Sequence, residues 1–241
     1  IPAAGALLLR ARSLAVFGLS GAIVLQADKL IISGFNGSSA VIAYYLANTL
    51  CLVPISSLAG PVASYFQPGV LSSIGSRSQT STFIQLKRML LLLSGVTLPP
   101  TVAIWLFRDD IIRIWLVGSP NAGQVAEYTA ILLPGVCIGA FGFIPYLVLL
   151  ARGDHRFQAR MSGFLTVLTL VSTIGFGYQG NIKAICWVYA IYHSSSTIFS
   201  WLRWIALERY ESSNTAKTIG LYTLLTLSIT LATTWFGYFI L

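Results

Sequence analysis

Seven apolar runs follow one another along the sequence, each close to the length a helix needs to cross a bilayer. They are Ser13–Gly34, Ala40–Tyr65, Phe83–Phe107, Val125–Leu150, Met161–Tyr178, Ala184–Ile205 and Ile219–Leu241. A crossing helix takes about 20 such residues, at 1.5 Å of rise each, over roughly 30 Å of hydrocarbon. The longest polar stretches left between them, Gly69–Thr82 and Leu207–Lys217, are too short for a soluble domain. The pattern predicts an all-α polytopic transmembrane bundle of about seven spans. Composition agrees: 9% of residues are charged and 56% hydrophobic, against about 25% charged in ordinary soluble domains. So few charges cannot cover a water-facing surface, and disorder requires low hydrophobicity. Between the third and fourth runs, Arg108–Gln124 carries Ile111, Ile112, Ile114, Trp115 and Leu116. It reads as a short amphipathic helix or turn at the interface.

Positive charge predicts an orientation. With the N-terminus cytoplasmic and the runs alternating, Arg10, Arg12, Arg77, Lys87, Arg88, Arg152, Arg156, Arg160, Arg203, Arg209 and Lys217 fall inside. Only Arg108, Arg113 and Lys183 fall outside, and Lys29 lies within a run. A Lys/Arg excess in short inner loops is what sets membrane topology. The net charge of +8 therefore calls for no nucleic-acid partner. The chain opens on Ile1 with no signal peptide, and its last run reaches the final residue, so a fragment or processed form is expected.

Several residues break the apolar pattern. Pro54, Pro61 and Pro68 repeat at seven-residue intervals, and Pro134 and Pro145 are eleven apart, so each set shares a helix face. Pro99 and Pro100 sit in the third run. Each proline frees a carbonyl and bends its helix. Lipid cannot satisfy that carbonyl, so these faces are expected to meet protein or a watery cavity, either as hinges of an alternating-access transporter or as static kinks. Asp28 and Lys29 lie about two turns inside the outer end of the first run, where charge is costly. Sequence neighbours point about 100° apart on a helix, so the two are not expected simply to face each other. They read as a polar patch for an anionic or sugar substrate, as a coupling-cation site, or as a structural tie to another helix. His193, followed by Ser194, Ser195, Ser196 and Thr197, makes a polar stripe in the sixth run: a functional candidate, or hydrogen-bonding glue between helices. Arg152, His155, Arg156 and Arg160 surround Gly153-Asp154 at the inner side; this is topology first, and a possible reception for phosphate second. Glu127 reads as a hydrated interfacial charge, and Asn36-Gly37-Ser38 as an outward turn.

Enzyme signals are weak. There is no Gly-rich phosphate loop, no H-E-x-x-H and no nucleophile elbow. Cys51, Cys137 and Cys186 lie in apolar runs without metal or disulfide spacing, so buried thiols are expected, with neither metal nor cofactor.

The order of several elements resembles the C-terminal half of the bacterial Wzx-type polysaccharide and O-antigen flippases of the multidrug/oligosaccharidyl-lipid/polysaccharide exporter superfamily. Asp28-Lys29-Leu30-Ile31-Ile32-Ser33 is similar to the family's D-[KR]-hydrophobic-S element, and Ala43-Tyr44-Tyr45-Leu46-Ala47 to its G-Y-x-x-A. Pro61 to Pro68 resembles the stretch before the inner loop, Ile114 to Gly118 the outer W-L-G, and Pro145-Tyr146 with Ala151-Arg152-Gly153 the end of a span and its turn. The resemblance implies two six-helix bundles around a central cavity, of which this chain would hold the second bundle and one extra helix, with the N-terminal bundle as its missing partner. It implies a bacterial inner-membrane protein that moves a lipid-linked oligosaccharide, carried on polyprenyl pyrophosphate, from inner to outer leaflet. It also implies a cavity set of Gln26, Asp28, Lys29 and His193, with Arg152 and Arg156 at the inner entrance. A multidrug exporter of the same superfamily, coupled to Na⁺ or H⁺ through Asp28, is the alternative. An integral-membrane glycan polymerase or ligase is a more distant one, because the large outer loop common to those enzymes is missing from the sequence.

Overall fold

A computed structural model describes residues 2–208 and 214–240, with side chains for 15–24, 26–208, 214–230 and 232. The side chains of Arg10 and Arg12, the whole of Arg209, and Leu241 at the end of the seventh run lie outside the described residues. The described residues form helices only: α1 (Pro2–Gly75), α2 (Gln79–Leu106), α3 (Arg108–Trp115), α4 (Ala122–Ala140), α5 (Phe143–Ala151), α6 (His155–Tyr178), α7 (Ile182–Glu208) and α8 (Thr215–Ile240).

α1 holds the first two apolar runs, and it folds back on itself. Tyr44 donates a hydrogen bond of 2.7 Å to the carboxylate of Asp28. In a straight helix residues so far apart in sequence would lie about 24 Å apart along the axis. The reversal is at Gly37, whose φ of 79° and ψ of 175° belong to a region open essentially to glycine alone. A Cβ there would meet nothing within 4 Å, so the demand is purely one of backbone conformation. Gly37→Ala is expected to destabilise the hairpin by about 1–3 kcal/mol, read as a lower thermal midpoint of the detergent-solubilised protein. Gly34→Ala, equally open but helical, is expected to leave the midpoint unchanged or raise it.

The fourth apolar run is two helices. Pro145 has no N–H for the carbonyl of Phe141, and the chain gives way there: the Phe141 and Gly142 amides bond the carbonyls three residues back, at 3.1 and 3.0 Å, in place of the α-helical four. The interfacial segment forms α3, with Ile112 buried and Ile114 77% exposed.

Neighbouring helices establish an up-and-down order. The first arm of α1 runs beside α6 in the same direction: Thr166 Oγ1 donates to the carbonyl of Ser20 at 3.3 Å, and Gly177 lies against Ile31 and Phe35. α4 and α7 also run together, with Gly135 against Ala190, Gly139 against His193 and Gly142 against Thr197. One end of the bundle gathers residues 76–78 and 152–154, Glu208 at the end of α7 and Thr215 at the start of α8. The other gathers Gly37, residues 107–121 and residues 179–181. Arg77, Lys87, Arg88, Arg152, Arg156, Arg160, Arg203 and Lys217 lie toward the first end. Toward the second, Arg108 pairs with Asp109 at 3.1 Å, Arg113 with Asp110 at 3.9 Å, and Lys183 with Glu127.

The outside of the bundle carries many large apolar side chains. Phe164, Val167, Val171 and Ile174 of α6, Trp187, Ile191 and Ile198 of α7, and Leu221, Leu224 and Ile229 of α8 are all exposed, a surface far larger than soluble monomers leave bare. Among the described residues, four helical stretches are long and apolar enough to cross a membrane: Ala15–Gly75, which contains the reversal, Gln79–Leu106, Ala122–Ala151 and His155–Tyr178. These four stretches hold five of the seven expected runs, and the last expected run has described side chains only for 219–230 and 232. The first joins two expected runs across the Gly37 turn, while α7 is diluted by His193, its serines and Arg203.

Candidate functional site

Three polar groupings stand out from the apolar bundle, and the sequence-picked residues divide among them.

The first is built on Asp28. Its side chain is wholly buried in the α1 hairpin. It accepts from Tyr44 Oη at 2.7 Å and from the Lys29 backbone N–H at 2.7 Å. Lys29 bends back to place Nζ 3.6 Å from Asp28 Oδ1, correcting the expectation that these neighbours do not meet. The Cβ directions do diverge, but the four-carbon stem of lysine closes the gap. Lys29 Nζ also donates to Gln26 Oε1 at 3.4 Å and stands 6.0 Å from the ring centroid of Tyr45. Asp28 is thus an interhelical tie, and the Lys29 head, 21% exposed, sits beside exposed Gln26 and Tyr45. The turn before Asp28 is also held, because Tyr189 Oη donates to the carbonyl of Val24 at 2.8 Å.

The second grouping is an open-sided cavity of about 410 Å³ bounded by the first arm of α1, the α4–α5 break, α6 and α7. His193 lines it, with Gln158, Ser196 and the rings of Phe17, Tyr146 and Tyr192. His193 is one helical turn beyond Tyr189, while Asp28 is one turn beyond Val24 in the opposite sense. The Tyr189–Val24 bond and the edge-on pair Tyr44–Tyr189, 6.1 Å between centroids, therefore stand between His193 and the Asp28 tie. Gln26, Asp28 and Lys29 come together; His193 does not join them.

The third is at the basic end. Arg152 Nη2 lies 3.7 Å from Glu208 Oε1. The same carboxylate, only 4% exposed, accepts from Trp204 Nε1 at 3.0 Å and from the Ala216 backbone N–H at 2.6 Å. An acid at the first turn of α8 satisfies an N–H that has no partner within that helix and complements the helix dipole. Arg152 also lines a cavity of about 450 Å³ with Arg77, Ser78 and Thr82. Arg156 is exposed on α6 and does not line that cavity. Arg203 pairs with Asp154 at 2.7 Å and covers the ring of Phe157 at 5.3 Å.

The prolines do not converge on one space. Pro145 is buried and Pro134 half-buried against α2 and α8, whereas Pro61 and Pro68 are exposed on the outer face of the second arm and Pro54 is half-buried. Pro61 and Pro68 lie on the face of the second arm opposite the one its helix partners cover through Ile55, Ala59, Val62, Phe66 and Val70.

Sequence reasoning missed Glu208, Tyr44 and Tyr189 as tie points, and the glycines that bring α4 to α7. The spacing Gly135, Gly139, Gly142 is the signal for the last, since small residues at such intervals let helices approach closely.

Compared with known protein families, with curated protein sequences and with solved structures, the chain matches none of them.

Proposed function

We propose that this chain is the C-terminal part of a bacterial inner-membrane transporter that moves a lipid-linked oligosaccharide from the inner to the outer leaflet. In this reading the chain crosses the membrane seven times with its basic end in the cytoplasm, and the transport path lies between it and an N-terminal bundle. The observation that carries the reading is the ammonium of Lys29, set part-way along a crossing helix, tethered by buried Asp28 and presented beside exposed Gln26 and Tyr45. A helix that faces lipid alone gains nothing from a charge at that depth. A pyrophosphate-linked sugar head, anionic and rich in hydrogen-bonding groups, gains a partner there. The order of sequence elements resembling polysaccharide flippases supports the same reading.

The test uses the full-length protein in a bacterium lacking its own O-antigen flippase, with surface glycan as the readout. Restored glycan is expected. Lys29→Ala is expected to cut export about tenfold or more, the loss of one charge-assisted hydrogen bond, at unchanged membrane insertion. Normal export by the inserted Lys29→Ala protein would remove Lys29 from the mechanism. Drug resistance without any glycan phenotype would replace the reading by a multidrug exporter.

A further inference from the structure

The cavity beside His193 has a chemistry unlike either other polar grouping. None of its lining residues is Asp, Glu, Lys or Arg. Its walls include flat rings: Phe17 and Tyr146 stack at 5.2 Å between centroids with 18° between planes. Polar groups sit among them. Gln158 is 2% exposed and donates Nε2 to the carbonyl of Tyr146 at 3.2 Å, which leaves hydrogen-bonding capacity on its amide. Among the described residues His193 makes no hydrogen bond; its ring meets that of Tyr192 edge-on at 5.4 Å and lies against Gly139. Its half-buried imidazole is therefore available to a guest in a space of about 410 Å³. The volume falls within the roughly 300–1,000 Å³ of small-molecule sites.

We propose that this cavity binds an uncharged sugar ring. Aromatic walls pack on the apolar C–H face of a pyranose. His193, Gln158 and Ser196 meet its hydroxyls at the edge, and the lack of any fixed charge disfavours acidic and amino sugars, whose ions would be desolvated without a counter-charge. The site is inside one bundle, on the far side of the Tyr44–Tyr189 pair from Lys29, and so is separate from the surface assigned to the pyrophosphate. The proposal rests on the glycan-transport reading only for what the sugar is attached to.

The experiment is saturation-transfer NMR on the full-length protein in detergent. The probes are free neutral hexoses and N-acetylhexosamines, with glucuronic acid and glucosamine as charged comparisons. At least one neutral sugar is expected to bind with Kd on the order of 1 mM, and the charged sugars at least tenfold more weakly. Gly21→Leu fills the cavity from a position where a Cβ meets nothing within 4 Å, and it is expected to abolish binding. His193→Ala is expected to weaken binding about tenfold without relying on the Gly21 variant's folding. Gly18→Leu, equally open but outside the cavity lining, is expected to bind as the parent does. The proposal is overturned by neutral sugars failing to bind the parent protein, by charged sugars binding equally well, or by binding that survives both Gly21→Leu and His193→Ala. Sugar binding with failed glycan export would sink the transport reading and leave the site standing; export without sugar binding would do the reverse.

Discussion

Gly135→Ala is expected to cost the protein about 3 kcal/mol or more, the upper range for overpacking a filled interior. A Cβ at Gly135 would lie 2.5 Å from the Cα and 2.6 Å from the carbonyl oxygen of Ala190. Those are backbone atoms of α7, so no rotamer change relieves the contact, and one helix must move. The readout is the yield of monodisperse protein in detergent and its thermal midpoint, both falling sharply. Ala190→Gly in the same background removes the Cβ at 2.8 Å but leaves the Cα where it was, so rescue is expected to be partial. Gly163→Ala and Gly175→Ala on α6, where nothing lies within 4 Å, are expected to be neutral or stabilising. Full tolerance of Gly135→Ala would mean that α4 and α7 do not touch as described.

Glu208→Ala is expected to be comparably damaging, by about 3–5 kcal/mol, the usual effect of removing one member of a buried ion pair. The carboxylate serves three elements at once. It faces Arg152 after α5, Trp204 on α7 and the first turn of α8. Its loss takes from Arg152, 19% exposed, the carboxylate at 3.7 Å and takes the acceptor from the first turn of α8. Glu208→Gln keeps one acceptor and is expected to lose less. The double variant Arg152→Leu/Glu208→Leu is expected to be milder than Glu208→Ala alone, because two apolar groups leave no charge stranded. It stays below the parent, since the Trp204 and Ala216 N–H groups still lose their acceptor. Thermal unfolding of the four proteins side by side checks the order; a double variant no better than the single would mean that the cap, and not the ion pair, is what Glu208 supplies.

Much of the architecture was legible from residue patterns. The apolar runs located the long helices, Asn36-Gly37-Ser38 marked the reversal, and the alternating basic residues separated the two ends. The ends of elements were less legible. The second arm continues to Gly75, beyond the apolar run and past Pro68, because Val70 and Ser73 are buried against neighbouring helices. α6 begins at His155, before its apolar run, because Gln158 and Ala159 pack inward. Local composition does not report such tertiary cover. The break at Phe141 follows from Pro145, but its position depends on a hydrogen-bond offset that a hydropathy pattern does not carry. For the polar groups, residue type picked out Asp28, Lys29 and His193 correctly as unusual. Their grouping required knowing that Tyr44 and Tyr189 close the space between them, and that comes only from the pairing of α1 with α7.

The glycine contact between α4 and α7 has a mechanical meaning. Two helices that meet backbone to backbone cannot slide or roll past each other without losing contact along the whole seam, so they form a single beam. His193 and Thr197 ride on that beam opposite Gly139 and Gly142. The α4–α5 break lies within that seam at Gly142, so the joint left outside the spine is the Gly37 reversal, where an added Cβ would meet nothing within 4 Å.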